Sequence, residues 1–554
     1  MEFSFQSDQV LKCILVHPKF SLFNYWNFVD VTEAVGAKSN QPPLGLLTVA
    51  SMLPKHWELQ VIDLNVRSIT DEEWRTADII ATGGMLPQQG GILDIIDRAN
   101  NDGKYVVVGG PDPSSQHEVY HKADAIIIGE GELTIPLWLE SLFSGDGKGT
   151  FSHEEKPDVT KTPIPRFDLI DFDDYLHLGI QYSRGCPFNC EFCDIIELYG
   201  RKPRTKTPDQ FIAELDAIRE LGYSGWVDIV DDNFIGNKRD IKKMLPQLKT
   251  WCEEKKFPFY FSTEASMNLG DDLKLLKMMQ EVDFRYVFMG IETPDPELLM
   301  ATQKSQNAIH SMQFRVENVY DHGMSIAAGF IIGFDGEKKG MDESMIKCIE
   351  ELGIIMSMVG LLVALPNTQL TRRLMKEKRL IDSFGQVISE ERDKYVTSVR
   401  DLHFDVEDQT TGGLNYITTR DRVEILKEYQ NIVKKIYHYE SYFERVLRTT
   451  RKLNIKRRHK PSTKREILRS IRGFLMLVKT MTANSKTRKI FWSHLFKYIL
   501  MGSDKFEFAM NMLAGYIHFE KQTAYLVQQI ENRMQLNIKM KVPRVHKPDS
   551  QKVS

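Results

Sequence analysis

Three of the six cysteines lie within Arg184-Gly185-Cys186-Pro187-Phe188-Asn189-Cys190-Glu191-Phe192-Cys193, where they are spaced C-x3-C-x2-C. Three thiolates on one short loop can bind a single iron–sulfur cluster, and a cubane of four irons then keeps one iron open. The alternative is a structural zinc site, which takes four ligands, usually from two paired knuckles. No second C-x2-C is present, and Cys13, Cys252 and Cys348 are isolated. The loop therefore predicts a [4Fe-4S] cluster on Cys186, Cys190 and Cys193.

The cysteine loop follows the first of six strand patterns that alternate with helical patterns over residues 177–375. The predicted strands are Leu178–Ser183, Val227–Asp231, Phe259–Thr263, Tyr286–Glu292, Ile326–Phe334 and Met358–Leu365. Strands that alternate with helices form a parallel sheet, and six such units predict a partial (β/α)6 barrel. A barrel places its chemistry at the carboxyl ends of its strands, where the cysteine loop is expected to lie.

Residues 1–145 show a second series of short apolar runs that alternate with helical patterns. The predicted strands are Leu11–His17, Leu59–Asp63, Asp78–Gly84, Tyr105–Gly110 and Ala125–Gly129. This pattern is typical of an α/β fold with a doubly wound parallel sheet. Such sheets bind ligands beyond the carboxyl ends of their strands, and glycine there lets the backbone approach a ligand closely. The candidate ligand-binding glycines are Gly83, Gly84, Gly109, Gly110 and Gly129, unless they only form tight turns.

The remaining segments have weaker patterns. Residues 146–176 are polar, contain proline and lack periodicity, which predicts a linker. Strand patterns fade after residue 375, so residues 376–540 are predicted to form a mostly helical C-terminal domain. Residues 541–554 are predicted to be a disordered tail.

Composition excludes several classes of protein. Hydrophobic residues make up 42% of the 554 residues and charged residues 27%, which is ordinary for a globular protein. No apolar run reaches the roughly 18–20 residues that are needed to span a bilayer. The first residues carry no basic cluster, so we expect no secretory signal. Six cysteines are too few for a disulfide framework and favour a cytoplasmic protein.

Charge is distributed unevenly along the chain. The net charge is −4, but residues 441–500 hold 17 Lys/Arg and 2 acidic residues, so this segment carries +15 and the rest −19. Residues 471–479 and 491–500 could form amphipathic helices that contact the anionic inner face of a membrane, with Phe474, Trp492 and Phe496 inserted. The alternative is a helical cap that closes the barrel. We expect no nucleic-acid binding, because no recognised reading module accompanies the charge.

These motifs together carry a family resemblance. The pattern C-x3-C-x-aromatic-C is the signature of the radical S-adenosylmethionine (radical SAM) superfamily. The strand-end motifs resemble its cobalamin-binding class: Val230-Asp231-Asp232-Asn233, Ser262-Thr263-Glu264-Ala265, Gly290-Ile291-Glu292-Thr293, Gly329-Phe330-Ile331-Ile332-Gly333-Phe334 and Leu365-Pro366-Asn367-Thr368-Gln369-Leu370. Four further stretches resemble the hopanoid C-2 methylase branch: Pro42-Pro43-Leu44-Gly45-Leu46, Thr82-Gly83-Gly84-Met85-Leu86-Pro87-Gln88-Gln89, Val108-Gly109-Gly110-Pro111 and Gln181-Tyr182-Ser183-Arg184-Gly185-Cys186.

The resemblance implies roles for individual residues. S-adenosylmethionine would bind at the open iron, with Phe192 packed on its adenine. The residues expected to line its pocket are Asp232, Asn233, Glu264, Gly290 and Glu292, since carboxylates accept hydrogen bonds from an ammonium or a ribose. The alternative is that these are solvated acids at strand ends. Tyr182 and Arg184 would shape the mouth of the site as catalytic residues.

One departure concerns cobalamin. The common motif D-x-H-x-x-G supplies a histidine that ligates cobalt from below, but Asp63-Leu64-Asn65 and Asp112-Pro113-Ser114 lack it. His17 follows the first strand outside that motif. Residues 1–145 are therefore expected to bind cobalamin through their glycine-rich strand ends, without a protein imidazole on the cobalt.

The resemblance implies a cobalamin-dependent radical SAM methylase. It would methylate an unactivated carbon of a lipid, a hopanoid-like triterpenoid, through a 5′-deoxyadenosyl radical and methylcobalamin. It would also need an electron donor such as flavodoxin or ferredoxin. The alternatives are another radical reaction on the same scaffold, cyclisation or methylthiolation, and a membrane-associated iron–sulfur redox sensor.

Overall fold

The structure, a computed structural model, describes residues 3–21, 23–25, 27–145, 147–381, 387–388 and 412–540. The first part of the chain consists of β1 (Lys12–His17), α1 (Val29–Val35), α2 (Leu44–Met52), β2 (Glu58–Asp63), α3 (Asp71–Thr76), β3 (Ile79–Gly83), α4 (Gln89–Asn101), β4 (Tyr105–Gly109), α5 (Pro111–Ser115), β5 (Ala125–Ile127), α6 (Gly131–Ser144) and β6 (Gly149–Phe151). Its six strands form one parallel sheet in the order β2-β1-β3-β4-β5-β6. The strand order reverses at β1, so β1 and β3 form a switch point, where such sheets bind ligands.

The first sheet is buried on both faces. Side chains alternate along each strand, so Cys13 and Leu15 of β1 join the main core, whereas Ile14 and Val16 pack into a second cluster with Ile92 of α4. Burial on both faces explains why these strands are continuous apolar runs in the sequence.

The middle part forms the expected partial barrel. Its elements are β7 (Leu178–Ile180), β8 (Ser183–Arg184), α7 (Ile195–Leu198), β9 (Arg204–Thr205), α8 (Pro208–Glu220), β10 (Gly225–Ile229), α9 (Lys238–Glu254), β11 (Phe259–Glu264), α10 (Leu273–Glu281), β12 (Phe284–Glu292), α11 (Pro296–Ala301), α12 (Met312–Asp321), β13 (Ser325–Ile332), α13 (Met341–Leu352), β14 (Met356–Leu361) and α14 (Gln369–Lys376). Six parallel strands follow one another in the order β7-β10-β11-β12-β13-β14, and β8 and β9 form a separate antiparallel ribbon.

The segment predicted to be a linker contributes to the first sheet. Strand β6 pairs in parallel with β5 from Gly149 to Phe151, and further on Arg204 donates a hydrogen bond of 2.8 Å to the Pro157 carbonyl. Residues 146–176, predicted to be a linker, thus include a short strand of the first sheet. The strand was missed because it is a three-residue edge strand whose first two residues are exposed, so it lacks an apolar pattern.

The C-terminal part is helical, as predicted. Its helices are α15 (Arg422–Ile436), α16 (Tyr439–Lys452), α17 (Lys464–Ala483), α18 (Ser485–Ile499) and α19 (Ser503–Met540). Within the described ranges, no helix combines the length and the apolar character that a membrane crossing requires. The predicted disordered tail, residues 541–554, lies outside the described residues.

Tyrosine hydroxyls cover the outer edge of β14. Tyr25 donates to the Val359 carbonyl and accepts from the Val359 amide, both at 3.3 Å. Tyr429 and Tyr437 of the helical part donate to the carbonyls of Val359 and Ser357 at 3.0 and 2.7 Å. Backbone groups that a closed barrel would pair with another strand are thus bonded to side chains.

Candidate active site

The cysteine loop turns sharply where it leaves β8. Gly185 has φ +94°, and a Cβ there would lie 2.8 Å from the Gly200 carbonyl oxygen, so only glycine fits without strain. The Gly185 amide donates to Asp232 Oδ2 at 2.8 Å, and the Cys186 amide donates to the Gly200 carbonyl at 3.3 Å. Within the loop, the Cys193 amide donates to the Cys190 carbonyl at 3.3 Å. These bonds hold the three cysteines on one turn at the carboxyl end of the barrel.

The surroundings of the thiols suit a cluster. Asn233 Nδ2 lies 3.6 Å from Cys186 Sγ, and Gln306 Nε2 lies 3.9 Å from Cys190 Sγ; such donors to sulfur tune cluster potentials. Burial raises the pKa of Cys190 and Cys193, so iron must supply the positive charge that keeps them as thiolates. In the described part of the chain, no three His, Cys, Asp or Glu side chains converge on a single-ion site. A four-iron cluster does not require the three thiols to converge on one point, because each thiolate binds a different iron.

A buried lysine stands beside the cysteine loop. Lys304 forms an ion pair with Glu292, and its ammonium lies 5.7 Å from the centre of the Phe192 ring. Glu292 ends β12 with φ +67°, and this left-handed backbone lets its carboxylate reach Lys304. A Cβ at Gly290 would overlap the end of the lysine side chain. Three predicted residues, Phe192, Gly290 and Glu292, thus meet at Lys304. No sequence pattern predicts Lys304 as a site residue, because it lies outside every strand-end motif.

Acidic residues from two neighbouring strands gather at the same edge. Burial raises the pKa of Asp232 to about 6 and that of Glu264 to about 8, the latter helped by the nearby Asp228, Asp232 and Asp231. Asp231 is fully engaged, because it accepts from the Tyr182 amide at 2.7 Å and the Ser183 hydroxyl at 2.6 Å. Asp232 and Asp231 therefore support the cysteine loop, whereas Glu264 keeps a carboxyl group that can bind a ligand.

Two predicted catalytic residues lie elsewhere than expected. The Tyr182 side chain is 1% exposed, packs edge-on against Phe211 at 5.4 Å, and has its pKa raised by burial to about 12. It belongs to the core, and the expectation that it shapes the mouth is wrong. Arg184 is held by Glu130 at 2.7 Å and Glu132 at 2.8 Å, so its guanidinium joins the ribbon of β8 and β9 to the first part of the chain. The pattern of apolar and polar residues around the cysteine motif predicts neither the burial of Tyr182 nor the ion pairs of Arg184.

A cavity of about 480 Å³ lies between the first sheet and the barrel. All five predicted glycines line it, together with the start of α2 and, on the barrel side, Gln181, Arg184 and Tyr199. A Cβ at Gly83 would overlap the Gly109 carbonyl oxygen, whereas one at Gly45 or Gly129 would point into open space. The volume is typical of ligand pockets, and a flat ligand could lie against the glycine-lined part of the wall.

His17 lies on the cavity wall with its ring already engaged. Gln88 Nε2 donates to His17 Nε2 at 3.2 Å and to the Pro18 carbonyl at 2.8 Å. Burial lowers the pKa of His17, so the imidazole is neutral and its Nε2 lone pair is taken by Gln88. The structure therefore gives no free imidazole nitrogen at Nε2 of this residue for a metal.

Comparisons with known proteins agree with this site. The family model of the radical SAM superfamily matches residues 180–349, and a domain of unknown function (DUF4070) matches residues 368–532. The cobalamin-dependent S-adenosylmethionine radical enzyme OxsB with aqua-cobalamin bound shares the fold, with a TM-score of 0.55 and 16% identity over 97% of this chain and 82% of that one. The radical SAM methyltransferase TsrM from Kitasatospora setae gives a TM-score of 0.53 at 13% identity, over 84% of this chain and 99% of that one.

Two relatives are similar enough to show the family. An uncharacterised methyltransferase of Synechocystis sp. is 40% identical over 527 residues, covering 95% of this chain and 94% of the relative. The hopanoid C-2 methylase of Rhodopseudomonas palustris is 35% identical over 380 residues, covering 68% of this chain and 72% of that protein. The chain therefore belongs to the radical SAM superfamily and, within it, to the methylase family that includes the hopanoid C-2 methylase.

Proposed function

We propose that the protein is a cobalamin-dependent radical SAM C-methyltransferase that acts on an apolar polycyclic lipid. The observation that carries the proposal is the position of the glycine-lined cavity. Its barrel-side wall includes Arg184, two residues before the first cysteine, so a ligand in the cavity would lie next to the cysteine loop. The boundaries 1–145, 177–375 and 376–540 remain our proposal for the domains.

The residues divide into three binding groups. Cys186, Cys190 and Cys193 would hold the [4Fe-4S] cluster; Phe192, Glu264, Gly290, Glu292 and Lys304 would line the S-adenosylmethionine pocket; the five glycines would support cobalamin. When bound, these cofactors supply hydrogen abstraction and a methyl donor. The protein orients them: Lys304 and Glu292 offer one charge of each sign to the zwitterionic end of S-adenosylmethionine. The reaction needs a reductant, for which we propose flavodoxin or ferredoxin.

The substrate class is taken from the relatives. The hopanoid C-2 methylase of Rhodopseudomonas palustris is 35% identical to this chain over 380 residues, and hopanoids are apolar polycyclic lipids. On the last strand of the barrel, the half-buried positions are Met356, Met358 and Gly360, and methionine adapts to irregular apolar surfaces. We therefore keep a hopanoid-like triterpenoid as the substrate class.

The helices α17 and α18 offer a membrane contact. Their outer faces expose large apolar side chains, among them Leu468 (66%), Leu475 (62%) and Phe496 (65%). Exposed lysines and arginines surround these residues in the basic segment 441–500. Phe474, by contrast, packs against Phe506 with ring centres 5.9 Å apart, so it is not among the inserting residues. We propose that this hairpin binds an anionic membrane surface peripherally.

The test is a reaction with the protein purified without oxygen and loaded with its cluster. It is given cobalamin, a reductant, a hopanoid hydrocarbon in vesicles, and S-adenosylmethionine with a deuterated methyl group. We expect 5′-deoxyadenosine and a lipid that carries one deuterated methyl group, read by mass spectrometry. 5′-Deoxyadenosine without a methylated lipid would favour cyclisation or methylthiolation, and no cleavage would favour a redox sensor.

A further inference from the structure

Four charged side chains, of which Glu130 is buried and the others are half-buried, join the glycine-lined cavity to the cysteine loop. Glu130 accepts from Arg184 at 2.7 Å with one carboxylate oxygen and from Arg204 at 2.7 Å with the other. Glu132 lies 2.8 Å from Arg184 and accepts from the Thr162 hydroxyl at 2.6 Å. The Glu130 side chain is 2% exposed. We call these four residues, Glu130, Glu132, Arg184 and Arg204, the charge clamp.

The clamp is needed because of the ribbon that carries its arginines. Arg184 of β8 and Arg204 of β9 are directly opposite each other in the antiparallel ribbon, and like charges in that position repel. Both neutralising carboxylates come from the first part of the chain, where Glu130 immediately precedes α6 and Glu132 lies in the first turn of that helix. Glu130 lies between the two guanidinium groups and bonds to both, so it offsets their repulsion.

Each end of the clamp is next to a cofactor site. Glu130 stands between Gly129 and Gly131, which both line the cavity, and the Gly129 amide is tied through the Ser114 hydroxyl to the Gly110 carbonyl at 2.8 and 2.7 Å. Arg184 is followed directly by Gly185 and Cys186. One carboxylate, that of Glu130, thus connects the glycine turn to the residue two positions before the first cysteine.

We infer that the charge clamp couples the two sites, so that a corrin in the cavity orders the cysteine loop through Glu130. Glu130 is then a positioning residue, and the inference rests on the proposed function because it takes cobalamin as the ligand. Coupling between two sites is reciprocal, so the cluster should strengthen cobalamin binding by the same factor. An ion pair that only joins the ribbon to the first part of the chain would hold them together without any such coupling.

Hydrogen–deuterium exchange on the cluster-loaded full chain tests this. Hydroxocobalamin is added, and two peptides are followed by mass spectrometry: residues 126–133 of the cavity wall, and residues 186–193 of the cysteine loop, none of which lines the cavity. In the wild type we expect both peptides to exchange at least about fivefold more slowly, at the low end of typical coupling. In Glu130→Gln, hydroxocobalamin should slow exchange of the cavity peptide but not of the cysteine-loop peptide. Glu140→Gln, an exposed position on α6, is the matched control and should behave as the wild type.

The outcomes separate this inference from the proposed function. Slowing of neither peptide in the wild type would overturn cobalamin binding and the coupling with it. Slowing of the cavity peptide alone in the wild type, or of both peptides in Glu130→Gln, would overturn the coupling and leave cobalamin binding in place. Should Glu130→Gln fail to hold its cluster, Arg204→Lys keeps the charge but loses the paired hydrogen bonds. Hydroxocobalamin should then slow exchange of the cysteine-loop peptide less in Arg204→Lys than in the wild type. Slowing equal to that of the wild type would contradict the role of the clamp.

Discussion

Single side chains around the cysteine loop fall into two groups. Asp231 and Asp232 bond to the backbone and side chains of the loop, so they shape it. Lys304 and Glu292 meet each other and approach Phe192, so they face the ligand. The strand-end motifs contain acids of both kinds, and only their hydrogen bonds distinguish them.

Cys190→Ala should abolish cluster assembly. Two remaining thiolates cannot hold the cubane in place, so iron bound per chain should fall to near zero and S-adenosylmethionine cleavage with it. Iron analysis and the visible absorption of the anaerobically purified variant measure this. Cys348→Ala is the matched control, since Cys348 lies on α13 away from the loop. Normal iron content in Cys190→Ala would remove this cysteine from the ligand set.

Lys304→Met should weaken S-adenosylmethionine binding by roughly tenfold to a hundredfold. Hydrogen bonds to charged groups contribute about 1.5–3 kcal/mol, and methionine fills the space without offering a charge to the carboxylate. Equilibrium dialysis with cluster-loaded protein measures the dissociation constant. Lys338→Met is the control, because Lys338 is an exposed lysine paired with Glu297. Equal affinity in Lys304→Met and the wild type would contradict the assignment.

At the scale of elements, the ends of the first sheet's strands make a pocket in which the Nε2 of His17 is bonded to Gln88. We expect the paramagnetic resonance spectrum of bound Co(II)-cobalamin to show no nitrogen splitting from the protein, because Gln88 occupies His17 Nε2. His17→Phe should leave the cobalt spectrum unchanged. A three-line splitting that persists without the cofactor's own base and disappears in His17→Phe would show that the histidine binds cobalt.

The helical hairpin of α17 and α18 should bind anionic vesicles. Leu475→Ser combined with Phe496→Ser should lower the partition at least tenfold, since each apolar side chain contributes about 1.5 kcal/mol or more when it leaves water. Added salt should weaken binding, because screening limits charge attraction to about 8 Å at physiological ionic strength.

Vesicle sedimentation at several anionic contents measures the hairpin's binding. Leu137→Ser, an exposed leucine of α6, should bind as the wild type does. Equal partition to neutral and anionic vesicles would remove the role of the basic residues, and no binding to either would leave the hairpin as a cap on the molecule.

For the whole molecule, the sequence predicts what depends on local periodicity and misses what depends on long-range pairing. Both sheets are predicted by apolar runs that end in glycines, and the cysteine loop is predicted by the spacing of its three cysteines. The edge strand β6 has no apolar pattern, Tyr182 is flanked by the polar residues Gln181 and Ser183, and Arg184 pairs with Glu130, which lies 54 residues earlier in the chain. Lys304 reaches Glu292 only because β12 ends in a left-handed residue. None of these follows from a pattern within one segment.

The tyrosine hydroxyls on β14 have a consequence for shortened versions of the protein. Two of the three come from α15 and the residue that follows it, so removing the helical part would uncover the last strand of an open barrel. An uncovered strand edge is a template for pairing with another copy. We expect a chain that ends at residue 381 to self-associate, with light scattering that rises with concentration. Loss of activity in such a chain would then result from edge-to-edge aggregation, and it would not test the role of the helices at a membrane.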